Sequence, residues 1–326
     1  MSGLLTKLPW RRAEKAPPRA YGYVELQAAG ACVRIVPELG GRISSLVLGG
    51  REWLWGAAGE GAGAGGYQEL FPTGGACVIP AGTEAFGGVT LPERGELAEQ
   101  RPEIAVRGGE TPEAVARWRG ARLPYVFERT VRCLTSGEVE ARYAVTNEGD
   151  APLPFVWSAR VALPLGRETR LVAFEGSPVR VYSQHGIDLM RGIAEHRWPR
   201  FRLEKRIADM SRPDTVARAY ACKLFFGQEA SRVAVEEGPH RLELRIDGAD
   251  GVTLGVWINR RGVREGGGQD APRVLALQPG LGAPDLLSEA LGSWKQAQWL
   301  APGETREWAL AWSARRVEDA PPPRDA

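Results

Sequence analysis

The 326-residue sequence has only three histidines, His185, His196 and His240, and four cysteines, Cys32, Cys77, Cys133 and Cys222. The cysteines lie far apart and none forms a C-x-x-C pair, which excludes a zinc ribbon and a thioredoxin-type motif. Each sits in an apolar or strand-like stretch such as Val131-Arg132-Cys133-Leu134, where a cysteine packs as a small hydrophobe, so free thiols are expected. With so few histidines a metal site would have to rest on carboxylates; no metal and no cofactor is expected. No window approaches the roughly 18 apolar residues of a membrane span. Residues Met1–Pro18 carry Arg11-Arg12 but continue into Ala13-Glu14-Lys15-Ala16-Pro17-Pro18, not into the apolar core of a leader. A cytoplasmic location without membrane contact is therefore expected. Nor does one sign of charge dominate: 42 Lys and Arg face 40 Asp and Glu. The arginines are scattered through apolar segments, so a nucleic-acid partner is not expected.

Helical periodicity is nearly absent. The best candidate is the single turn Pro284–Ala290, with Asp285 near its start. A period of two dominates instead, in Tyr23–Gln27, Ala31–Val36, Phe127–Cys133, Val139–Val145, Arg232–Glu236, Arg241–Ile246, Thr253–Ile258 and Arg306–Trp312. Turn chemistry such as Asn147-Glu148-Gly149-Asp150 and Ala301-Pro302-Gly303 separates these segments. The reading is all-β, a single large antiparallel sandwich over residues 20–316, with flexible tails at 1–19 and 317–326. The glycine-rich run Gly56–Gly66 reads as a long loop. Its Gly59-x-Gly61-x-Gly63 is no dinucleotide fingerprint, because the following Gln68-Glu69-Leu70-Phe71-Pro72 cannot open a helix past the proline.

Some side chains stand out by their setting. Glu69, between Tyr67 and Phe71-Pro72, is a carboxylate in apolar company that needs a partner or an elevated pKa. Both a pocket role and a structural ion pair fit it. Trp157 and Trp257 each precede a polar strand end, and an indole face suits the C–H face of a sugar; Trp308 and Trp312 have the spacing of core packing. His185 follows Tyr182 in a stretch read as a loop.

Four segments, in order, resemble the galactose mutarotase-like (aldose 1-epimerase) family: Val36-Pro37-Glu38-Leu39-Gly40-Gly41-Arg42-Ile43 with Glu52-Trp53-Leu54; Gly66-Tyr67-Gln68-Glu69-Leu70-Phe71-Pro72-Thr73; Asn147-Glu148-Gly149 through Trp157-Ser158-Ala159-Arg160; and Leu277-Gln278-Pro279 ending in Trp308. The resemblance implies a β-supersandwich holding one monosaccharide. It also implies acid/base ring opening of a hemiacetal, by two histidines and a glutamate. This chain departs at all three places: Arg94 and Arg160 stand where the histidines are expected, and Gln278 stands for the glutamate. An arginine does not release its proton and a glutamine amide is no base near neutral pH.

Two readings follow. In the first, an isomerase of the aldose 1-epimerase type binds an acidic or phosphorylated sugar through Arg94, Arg160 and Gln278, with Trp157, Trp257 and Tyr182 as further binding residues. Proton transfer then passes to Glu69, Glu93 or His185. In the second, a sugar-binding or regulatory pseudoenzyme uses the same scaffold. A Tyr182/His185 sugar lyase is a third. Each takes a small carbohydrate ligand.

Overall fold

The computed structural model describes residues 21–317 apart from 57–64, 190–195, 204–205, 228–230 and 265–269. The expected tails, Val317 excepted, and most of the glycine-rich loop lie outside the described residues.

All eight of the alternating segments are strands, paired in antiparallel ladders. Among the described residues the two large sheets have thirteen and eight strands, and two small sheets have two strands each. The centre of the larger sheet runs, in spatial order, through Arg42–Leu48, Tyr67–Leu70, Trp157–Pro164, Arg273–Leu281, Val252–Arg260, Tyr220–Phe226 and Pro178–His185. In the smaller sheet the strands Thr305–Arg316, Val139–Asn147 and Tyr125–Cys133 are central. Several strands of the larger sheet, Tyr220–Phe226 among them, are buried along their whole length and carry almost no alternation. Apolar residues occupy both faces of Tyr220–Phe226, so a period-two signal does not reveal it.

The two sheets pack through an aromatic layer. Tyr67 meets Trp312 at 5.9 Å, and Trp157 meets Tyr143 and Trp308, each at 4.8 Å between ring centroids. Trp308 and Trp312 are buried, consistent with their spacing. Strand alternation then sorts the larger sheet: Tyr67, Glu69 and Trp157 face this layer, whereas Leu70 and Arg160 face the open side. Among the described residues helix is confined to Leu287–Leu291 and three short 3₁₀ turns. Among the described residues no helix is long and apolar enough to cross a membrane.

Candidate functional site

On the open face of the larger sheet lies a cavity of about 240 Å³ lined by Glu93, Arg94, Arg160, Tyr182, Lys223, Trp257, Gln278 and Asp285, with Leu70, Gly74 and Ser183. Seven separate stretches of chain meet there, and the strand ladders account for most of the convergence. Arg160 pairs with Gln68 on one side, and the neighbouring register, Ser158 with Gly280 and Val161 with Leu277, sets it level with Gln278 on the other. Gln278 pairs with Gly255, which pairs with Phe225. Lys223 pairs with Trp257 one step along the same face. Between Val181 and Ser183 the strand Pro178–His185 bulges against Tyr220–Phe226, which re-aims Tyr182 towards the cavity.

Gly255 makes room for the central charge. A Cβ there would stand 3.0 Å from Lys223 Nζ and 3.1 Å from its Cε, so the lysine side chain lies across the position where any other residue would project. Its ammonium donates to Gln278 Oε1, lies 3.2 Å from Asp285 Oδ1 and sits 5.0 Å from the Phe225 ring centroid. Burial pushes the Lys223 pKa down, and Asp285 opposes the shift. Asp285 is held from behind by the loop after the Tyr67–Leu70 strand, where Gly74 N donates to the Asp285 carbonyl at 2.7 Å.

Arg94 reaches the cavity from a loop and has a left-handed backbone, φ +68°. The next residue packs so tightly that a Cβ on Gly95 would lie 2.2 Å from Phe71 O, so only glycine fits. Glu93 fastens this loop to its neighbour by accepting from Ala76 N at 3.1 Å. Behind the site Arg42 is buried, and the Gln68 amide oxygen, in the orientation that pairs donors with acceptors, accepts from its Nε at 3.1 Å. Burial first, then the nearby Arg94 and Arg160, lowers the Arg42 pKa to about 10. Arg42, Arg94 and Arg160 thus stand close enough for their charges to oppose one another. An aromatic wall flanks it: Tyr182 packs edge-on against Phe225 at 5.7 Å and against Trp294 at 5.9 Å.

Of the residues singled out in the sequence, Arg94, Arg160, Gln278, Trp257, Tyr182 and Glu93 come together here. Three do not. Glu69 lies in the intersheet core, where it accepts from Arg129 Nη1 at 3.1 Å, Tyr143 at 3.2 Å and Trp157 Nε1 at 3.0 Å. Its setting is the structural ion pair, not the pocket. Trp157 belongs to the same buried network; its strand neighbour Arg160 points the other way. His185 closes the Pro178–His185 strand, exposed and outside the cavity lining, and is not in a loop. Nor does Arg160 end its strand; it is the fourth of eight residues in Trp157–Pro164. Lys223, Asp285 and Arg42 were not singled out for the site. For Lys223 a signal existed: it is the one charge in Tyr220-Ala221-Cys222-Lys223-Leu224-Phe225-Phe226, an apolar run that buries a cation only with partners.

A larger depression, about 560 Å³, lies on the outer face of the smaller sheet between Thr130, Ala144, Ala309 and Asp247. Its charged lining includes Arg142, which is spent on its strand neighbour Glu140 at 2.7 Å, and no buried charge points into it. The smaller cavity, by contrast, has the buried Lys223 on its lining. Among the described residues no group of three or more His, Cys, Asp or Glu side chains is placed to hold a metal ion.

Comparison with solved structures defines the architecture. The Slr1438 protein from Synechocystis sp. PCC 6803 superposes with a TM-score of 0.69 at 16% identity, over 94% of this chain and 100% of that one. A galactose mutarotase-like protein from Lactobacillus casei ATCC 334 superposes at 0.63 and 16% identity, over 90% and 100%. A galactose mutarotase related enzyme from Lactobacillus acidophilus does so at 0.61 and 13%, over 91% and 99%. The chain thus has the galactose mutarotase-like fold. At the level of sequence, no family model and no curated protein matches it.

Proposed function

We propose that the cavity binds one monosaccharide carrying an anionic group, a carboxylate or a phosphate, and acts on its anomeric centre. The observation that carries this reading is the convergence of Arg94, Arg160 and Lys223 on a space of about 240 Å³, with Arg42 raising the positive potential behind them. A cavity below the usual range of drug-sized sites suits a single small ligand. Two guanidinium groups supply forked, charge-assisted donors that a neutral hydroxyl does not use fully. Trp257 and Tyr182 offer flat apolar surface for the C–H face of a pyranose. The lyase reading loses support, since Tyr182 lines the cavity and His185 does not.

Calorimetric titration with glucose 6-phosphate, glucuronate and glucose tests the proposal. At least one anion is expected to bind ten times or more tighter than glucose, with an affinity that falls as salt rises. Equal binding of glucose and both anions would overturn it.

A further inference from the structure

We propose that Lys223 and Asp285 form a proton-transfer pair at this site, doing together what Arg94, Arg160 and Gln278 cannot do. The inference rests on the monosaccharide reading above. Both side chains line the cavity, and their functional atoms, Nζ and Oδ1, are 3.2 Å apart. In a cyclic sugar the hydroxyl oxygen O1 and the ring oxygen O5 are both bonded to C1, so they too are close neighbours. One donor and one acceptor side by side can therefore address both oxygens at once.

The step balances without any further reactant. The Asp285 carboxylate takes the proton of the O1 hydroxyl while the C1–O5 bond breaks and the Lys223 ammonium gives a proton to O5. The products are the open-chain aldehyde with a free O5 hydroxyl, a neutral Asp285 acid and a neutral Lys223 amine. After rotation about C1–C2, O5 attacks the other face of the carbonyl. Asp285 then returns its proton to O1 and Lys223 recovers one from O5, which leaves the opposite anomer and the starting ion pair. Nothing is oxidised or reduced.

The surroundings suit these roles. Gln278 accepts from Lys223 and lies 3.5 Å from Asp285 Oδ1, so its amide holds the pair in register from the position where a catalytic carboxylate is absent. Burial and Arg160 both weaken the hold of Lys223 on its proton, which makes the ammonium a better acid near neutral pH. Asp285, with a quarter of its side chain exposed, remains open to the cavity. Glu93, the other lining carboxylate, is turned to Ala76 N.

The test measures anomer exchange of glucose 6-phosphate by exchange NMR, alongside calorimetric binding of the same compound and of glucose. The wild type is expected to accelerate exchange. Asp285→Asn and Lys223→Arg are expected to lose about a hundredfold of the acceleration while folding and still binding the phosphate. The arginine variant is decisive: it keeps the charge and the donors but does not release a proton. Tight binding by the wild type with no acceleration would overturn the pair and leave the binding reading intact, as would acceleration undiminished in Lys223→Arg. Acceleration on glucose with no preference for the phosphate would overturn the anionic reading and keep the pair.

Discussion

Two buried ion pairs lie on opposite faces of the same sheet, and they differ in what their partners leave over. Glu69 and Arg129 are in the intersheet layer, with side chains 1% and 0% exposed. Both Glu69 oxygens are taken, and Arg129 also donates to Gly41 O at 2.5 Å. Lys223 is almost as buried, at 3%, but its partners Asp285 and Gln278 line a cavity. Burial perturbs both pairs in the direction of neutrality, raising Glu69 and lowering Lys223, each against the pull of its partner. A buried, perturbed charge is therefore not in itself a functional signature. What separates the two is whether the unspent hydrogen-bonding capacity faces a packed core or an opening.

The largest effect that would break the comparison lies in the core. Glu69→Gln should cost about 3–5 kcal/mol in urea unfolding, because it strands the Arg129 charge. Adding Arg129→Met should restore most of that loss, and neither change should alter the preference for an anionic ligand. At the cavity the balance reverses. Arg160→Gln should leave unfolding nearly unchanged but weaken glucose 6-phosphate by about 1.5–3 kcal/mol in calorimetry, with little change for glucose. Gly255→Ala sharpens the contrast within the site. The new Cβ meets the flexible end of Lys223, so stability should fall by only about 1 kcal/mol while ligand affinity drops as the ammonium is displaced.

The smallest effect is a pH dependence. The Glu69 pKa is raised above the ordinary 4.5 by burial, so the native state holds this proton more tightly than the unfolded chain. That contribution is full below the ordinary value and is lost as pH rises through the raised one. The wild type should lose stability over that window relative to Glu69→Gln/Arg129→Met, in which the group is absent; parallel urea-midpoint curves for the two proteins would exclude the shift.

The all-β class was legible because half-buried strands write their burial into a period of two, and every alternating segment became a strand. The apolar run Tyr220–Phe226, buried at every residue, left no such trace, and Lys223 went unnoticed inside it. Arg94, Arg160 and Gln278 were reached only through the family resemblance, and the fold sets all three on one cavity. Glu69 was legible only as an anomaly: an apolar setting requires a partner but does not name it, and Arg129 stands 60 residues away.

The chain by itself thus determined its all-β class, its turns and the chemical types at the motif positions, since these depend on local backbone preference and on side-chain identity. Tertiary structure alone decided which charges meet. Strand alternation turned Glu69 inward and Arg160 outward, although the ladder sets Glu69 beside Ala159 and Gln68 beside Arg160. The ladders from Tyr220–Phe226 through Arg273–Leu281 brought Lys223 over Gly255 to Gln278, and the loop carrying Gly74 held Asp285 against them. Such meetings depend on register across strands that are distant in sequence, and a one-residue slip would send each of these side chains to the other face.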